Sequence, residues 1–238
     1  MSAASPGAGG PGPLALVGGG EWTPGASFDA ELVRAGGPEV LILPTAAAYQ
    51  RPERAVARAE EYFAGLGARA RGLMVLSRRD AQDPEAASAV ARSRFVYLSG
   101  GSALHLRSVL KGSAVWSALL EAWESGAVVA ASSAGAMVLT DPMVDPRGGA
   151  FTLGLGLVEQ LAVIPHYGAP GDEKVHRRTL ALAAPGLPVA CIPERSALIR
   201  WPGGTWVSAG ESEVQVFVDG APASLEALPG WGRPLSSG

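Results

Sequence analysis

Two adjacent hydroxyls, Ser132 and Ser133, end the apolar run AVVAAS (127–132) and precede the small, helix-prone run AGAMVL. At the C-terminal end of a buried strand this fits a nucleophile elbow, a sharp strand-to-helix turn that holds a serine out for attack. Such a turn needs small flanking residues, because strand and helix pack closely around it. Residues 131–135 read A-x-S-x-G around Ser133, with Ala131 and Gly135 as the flanks. Around Ser132 the flanks would be Ala130 and Ala134, with no glycine. Ser133 is therefore the better candidate, and the competing reading is an ordinary strand–helix turn.

A serine nucleophile needs a base, and the base needs an orienting group. The chain has three histidines. His105 lies in a helical stretch (103–110) and His176 in the charged run EKVHRRTLAL, so both read as helix-face side chains. His166 follows the strand-like run LAVIP and precedes Tyr167-Gly168, where a side chain can reach across a sheet's C-terminal edge. Glu194 sits at a Pro-Glu corner inside the apolar stretch VACIPERSALI, an unusual place for a charge put there only for packing. Its competing reading is an ion pair with Arg195. Asp172 and Glu173 are rival acids, in a polar loop and helix start where capping accounts for them. Oxyanion donors would be backbone N–H groups. Ala134 follows the serine directly, and SGGS (99–102) offers a second donor, since Gly100 and Gly101 allow close backbone approach. Glu21 and Trp22, after the first glycine turn, are expected to line the pocket. Arg177, Arg178 and Arg195 are candidates for an acidic substrate group, against the ordinary reading of solvated arginines.

The elements that must position these residues are short apolar runs separated by helical stretches. Strands are expected in LALVGGG (14–20), EVLILPT (39–45), RGLMVLS (71–77), RFVYLSGG (94–101) and AVVAAS (127–132). Helical spacing marks 52–68, 83–93 (with Asp83-Pro84 as cap and first turn) and 103–126, broken at Gly112. Strands that are continuously apolar are buried on both faces, as in a parallel sheet covered by helices. The expectation is one α/β domain over 14–228, with a flexible tail over 1–13 and a second tail over 229–238. TWVSAG (205–210) and EVQVFVDGAPA (213–223) look like a late antiparallel hairpin region, turning at Asp219–Gly220.

Composition narrows the function classes. The chain has 238 residues, 47% hydrophobic, with net charge −3 and no basic stripe, which disfavours nucleic acid as a partner. Cys191 is the single cysteine, so neither an internal disulfide nor a cysteine metal motif is expected. The N-terminal stretch lacks the positive start and apolar centre of a signal peptide, and no run reaches the about 18 apolar residues of a membrane span. A cytoplasmic protein without cofactor or metal is expected.

In the order GGG (18–20), LSGGS (98–102), SSAGAM (132–137), IPHY (164–167) and PERSAL (193–198), the chain resembles the cyanophycinase and aspartyl dipeptidase (dipeptidase E) family of serine peptidases. The resemblance covers most of residues 14–200. It implies a class I glutamine amidotransferase-like fold, a three-layer sandwich on a mainly parallel sheet. It also implies Ser133 as nucleophile, His166 as base, Glu194 as orienting acid, and Gly101 with Ala134 as oxyanion donors. Gly100 and Ser102 are expected to meet the substrate, a small peptide, aspartyl ones included, cleaved at a peptide or isopeptide bond. Members of this family are often dimers, so the resemblance allows a homodimer, although nothing in the sequence marks an interface. Ser102 stands where the family usually has Asn or Asp, and Pro193 where cyanophycinases carry an acid. Their arginine-rich run is only partly echoed by Arg177 and Arg178. The match is thus closer in the catalytic machinery than in the substrate pocket, and cyanophycin is not the expected substrate.

Other readings fit less well. An α/β-hydrolase orders its triad Ser, acid, His, but Asp141 and Asp145 follow the elbow too soon to sit on a later strand. A glutamine amidotransferase needs cysteine where Ser133 stands. GGGEWT lacks the last glycine of a dinucleotide fingerprint, and the second strand ends without an acid for the ribose. The alternative that remains is a ligand-binding or regulatory protein on the same fold.

Overall fold

The computed structural model describes residues 10–171 and 173–230. Strand and helix alternate through the first half: β1 (Leu14–Val17), α1 (Asp29–Gly36), β2 (Glu39–Leu43), α2 (Pro52–Gly65), β3 (Arg69–Gly72), α3 (Pro84–Ala91), β4 (Phe95–Leu98), α4 (Ala103–Leu110), α5 (Ala114–Glu124), β5 (Val128–Ser132) and α6 (Ala134–Leu139). Four two-residue strands follow: β6 (Thr140–Asp141), β7 (Met143–Val144), β8 (Phe151–Thr152) and β9 (Val158–Glu159). The chain then forms β10 (Ala162–Ile164), α7 (Glu173–Ala181), β11 (Val189–Cys191), β12 (Ser196–Arg200), β13 (Trp206–Gly210), β14 (Gln215–Val218) and β15 (Ala221–Ala223).

The main sheet has the order β13-β12-β1-β5-β4-β2-β3. Its five N-terminal strands are mutually parallel, and β12 and β13 add an antiparallel edge. Parity explains why these strands read as unbroken apolar runs. Leu14, Leu16, Leu41, Leu43, Val96 and Leu98 face one core, shared with α4, α5 and α6. Ala15, Val17, Val40, Ile42, Phe95 and Tyr97 face the other, shared with α1 and α2. Both faces are covered, so hydrophobic burial stabilises each position at roughly 1.5–3 kcal/mol per large side chain. The three-layer α/β sandwich is as expected.

Local chemistry sets the helix starts. Pro52 opens α2, and Ala55, Val56, Ala59 and Phe63 form its buried stripe. The Asp83 side chain accepts the Glu85 N–H and caps α3. Ser102 caps α4 through the His105 N–H, and Ser113 caps α5 through the Trp116 N–H. Between them Gly112 takes a left-handed φ of 60°, the break the sequence announced.

Two readings need correction. The third strand is Arg69–Gly72 rather than 71–77. It is the sheet's edge, and Arg69 and Arg71 lie exposed there while Ala70 is buried, so it alternates instead of running apolar. The segments 205–210 and 213–223 do not form one hairpin. The first pairs with β12 in the main sheet. The second supplies β14 and β15 of a smaller sheet, order β10-β11-β14-β15, whose turn is Asp219–Gly220 with φ of 52° and 75°. The small sheet shares a core with α6 and carries the chain to His166.

Of the expected tails, residues 1–9 and 231–238 lie outside the described residues. Gly12 is docked on α5: its N–H donates to the Trp123 carbonyl (2.8 Å), and its own carbonyl accepts from the Trp123 indole (3.0 Å). The Pro229 carbonyl accepts from the Trp206 indole (2.9 Å). No helix among the described residues is long and apolar enough to cross a membrane.

Candidate active site

Ser133 lies between β5 and α6 with φ 49° and ψ −107°, a left-handed φ that a non-glycine residue holds only where its surroundings enforce it. Its N–H donates to the Val17 carbonyl at 2.8 Å, tying the turn to the end of β1. The small flanks are needed. A Cβ on Gly135 would lie 3.1 Å from the Ala131 Cβ and 3.2 Å from the Leu98 carbonyl oxygen. The strain therefore comes with close packing of strand against helix.

The structure brings the three side chains singled out in the sequence into one line. Ser133 Oγ lies 2.7 Å from His166 Nε2, and His166 Nδ1 lies 2.9 Å from Glu194 Oε1. The tautomer with its proton on Nδ1 satisfies both contacts: Ser133 O–H donates to Nε2, and Nδ1–H donates to the carboxylate. Both His166 and Glu194 are partly open to solvent, with side chains 38% and 47% exposed. Arg195 Nε donates to Glu211 at 2.6 Å, while its guanidinium stays 3.8 Å from the far oxygen of Glu194. Arg195 is thus engaged mainly by Glu211, and Glu194 remains directed at the imidazole.

The glycine turn after β1 holds this line together. The His166 N–H donates to the Gly18 carbonyl, and the Arg195 N–H to the Gly19 carbonyl, each at 2.8 Å. Gly19 has φ 126°, and a Cβ there would lie 2.3 Å from His166 Cε1. The imidazole rests directly on a bare backbone. His166 itself takes a φ of 53°, so its loop is as constrained as the elbow it faces.

Two backbone donors border the same cleft. Gly101, with φ 140°, is pressed against the Ala46–Ala47 backbone, where a Cβ would lie 2.2 Å from the Ala46 oxygen. Among the described residues no acceptor meets the N–H of Gly101 or of Ala134. Both residues line, with Ser133 and His166, a cleft of about 620 Å³ that also includes Ser102, Arg147, His176 and Thr179. Ser102 doubles as the α4 cap. Gly100 is not among the lining residues, and its N–H is taken by Glu21 at 3.1 Å.

Other candidates fall elsewhere. His105 is on α4, where Nε2 lies 2.9 Å from the Leu76 carbonyl and the ring packs on Tyr49. His176 is not merely solvated; it stacks on Tyr167 at 5.3 Å and borders the cleft. Glu173 starts α7, and Asp172 lies outside the described residues. Arg177 and Arg178 are exposed and do not line the cleft. Trp22 is buried against Tyr97 rather than in the cleft. Burial pushes the Cys191 thiol up to about 12, so it stays protonated and is no nucleophile. No group of three or more potential metal ligands occurs among the described residues.

The sequence profile of peptidase family S51 matches residues 15–203. The chain belongs to this family. Membership makes it a serine peptidase, with a peptide as substrate. A solved peptidase from an acI-B1 actinobacterium is 29% identical, with 90% of this chain and 97% of that one covered and a TM-score of 0.79. A candidate peptidase E protein from Listeria monocytogenes EGD-e shares the fold at 18% identity, with 87% and 98% covered and a TM-score of 0.63. No curated protein sequence matches the chain. The resemblance drawn from the glycine turns, the elbow and IPHY agrees with the family.

Proposed function

We propose that residues 14–228 form one hydrolytic unit in which Ser133 is the nucleophile, His166 the general base and Glu194 the orienting acid. The observation that carries this is the continuous Ser133–His166–Glu194 line at 2.7 and 2.9 Å. In the first step neutral His166 takes the Ser133 proton while Oγ bonds to the scissile carbonyl carbon. The carbonyl oxygen becomes an oxyanion and accepts from the Gly101 and Ala134 N–H groups. The imidazolium then returns its proton to the leaving amine as the C–N bond breaks. Water, deprotonated by the same imidazole, releases the acyl group. The cleft's size suits a short peptide, and aspartyl and isoaspartyl dipeptides are the first to screen. Ser102, His176 and Arg147 border it, although Arg147 is already ion-paired with Asp145.

The test pairs a screen of short peptides with covalent labelling by a fluorophosphonate. The native chain should be labelled once and turn over at least one peptide. Ser133→Ala should lose labelling and all but a residual rate, a fall of more than about 10³-fold. Full turnover by Ser133→Ala would end the reading.

A further inference from the structure

Glu21 follows the glycine turn after β1, and both of its carboxylate oxygens are used. Oε1 accepts the Gly100 N–H at 3.1 Å, and Oε2 accepts the Ser132 hydroxyl at 2.8 Å. The two donors belong to two different loops, at the ends of β4 and β5. In the sheet β1, β5 and β4 are neighbours, so one carboxylate spans three adjacent strand ends. Each donor also immediately precedes a working part of the site. Gly100 precedes Gly101, and Ser132 precedes the strained Ser133 and Ala134.

We propose that Glu21 is a positioning residue that fixes the Gly101 and Ala134 N–H groups relative to Ser133, so that both meet the same oxyanion. This rests on the reading of Ser133 as nucleophile. The Gly100 N–H can only donate, so it requires an acceptor, and a carboxylate accepts both it and the Ser132 hydroxyl without supplying a proton of its own. A glutamine there keeps one acceptor oxygen for the Gly100 N–H, and its NH₂ can donate to a Ser132 hydroxyl that turns to accept, whereas an alanine leaves both groups without this partner.

Glu21→Ala tests this, read per mole of folded protein on a peptide the native chain cleaves. The expected result is a fall in kcat of about 10- to 100-fold, as for a displaced oxyanion donor, with KM within about threefold. Fluorophosphonate labelling should slow in parallel. Glu21→Gln, which keeps an acceptor for the Gly100 N–H and can bridge to Ser132, should hold kcat at least about threefold above Glu21→Ala. Ser132→Ala alone, a small truncation that should fold, should lower kcat about three- to tenfold. A kcat within about twofold of native in Glu21→Ala or Ser132→Ala overturns the proposal. So does a loss carried by KM, or a Glu21→Gln no faster than Glu21→Ala. Ser133→Ala, assayed beside them, separates the two readings. Activity lost there but kept in Glu21→Ala refutes the role of Glu21 alone, and activity kept in Ser133→Ala refutes both.

Discussion

Glu194→Gln removes a charge and little else. The amide oxygen can still accept from His166 Nδ1, which lies 2.9 Å from the present carboxylate, so the tautomer needed for a base is kept. On the proposed roles, what is lost is support for the imidazolium that would form as Ser133 attacks. A unit charge pair about 4 Å apart is worth about 1 kcal/mol in water and about 4 kcal/mol at an effective dielectric constant near 20. The two side chains are 38% and 47% exposed, which places the pair between these limits and toward the solvated one. A loss of about 1.5–3 kcal/mol follows, or roughly 10- to 150-fold in kcat. A buried triad loses about 10⁴-fold when its acid becomes an amide that fixes the wrong imidazole tautomer. The assay is steady-state hydrolysis of a peptide found by screening, at a pH where the native rate has levelled off. It should be repeated in added salt, where the gap between native and variant should narrow as the half-exposed pair is screened. A loss below about threefold would mean that Glu194 lends the imidazolium no support. A loss near 10⁴-fold that salt does not change would mean that the amide turns its NH₂ to Nδ1 and fixes the wrong tautomer, refuting the expectation that only charge is lost.

Two further outcomes follow from buried contacts. Burial, with Glu21 adding and Tyr62 opposing, pushes the Asp29 carboxyl up to about 8 from an ordinary 3.8. Between those values the folded chain keeps a proton that the unfolded chain has released, so stability should fall as pH rises, by up to about 1.4 kcal/mol per pH unit. Asp29→Asn should remove that slope and gain on the native chain from pH 5 to pH 8 in urea titrations; parallel curves would show Asp29 to be charged in the fold. Gly19→Ala would put a methyl 2.3 Å from His166 Cε1 at a φ of 126°, so it should displace the imidazole and lower kcat by about 10²-fold or more, and an active variant with unchanged rate would remove the glycine turn's part in holding the base.

What was legible in the sequence was what local chemistry dictates. The elbow shows itself because strain at Ser133 forces small residues on either side, within five positions. His166 and Glu194 show themselves because each interrupts an apolar run with a polar group that packing does not call for. Glu21 carries no such signal. It follows three glycines in what reads as a loop, and its partners lie 79 and 111 positions away in the chain. Only the strand order brings them together. The same limit applies to β13, whose sequence fits a hairpin with 213–223 but which pairs with β12. Alternation tells that a segment is a strand with one wetter face; it does not tell which sheet receives it. At β3 the apolar residues Leu73–Val75 drew the expected strand too far along, although the edge of the sheet had already been formed by Arg69–Gly72.

The architecture explains why a triangle of glycine, serine and histidine loops can stay in register on two different sheets. Ser133 hangs from the main sheet at the end of β5, while His166 follows β10 of the small sheet. Movement of one sheet against the other would open the 2.7 Å contact between them. The turn after β1 prevents this by bonding both ways: the Val17 carbonyl holds the Ser133 N–H, the Gly18 carbonyl the His166 N–H, and the Gly19 carbonyl the Arg195 N–H beside Glu194. Three consecutive carbonyls thus hold three separate chain segments. The two glycines among them have no room for a side chain: a Cβ would lie 2.1 Å from the Pro193 oxygen at Gly18 and 2.3 Å from His166 Cε1 at Gly19. The turn needs no reacting group of its own. Its glycines are required by the chemistry of their neighbours, which is why a change to alanine there should be read in kcat before it is read in stability.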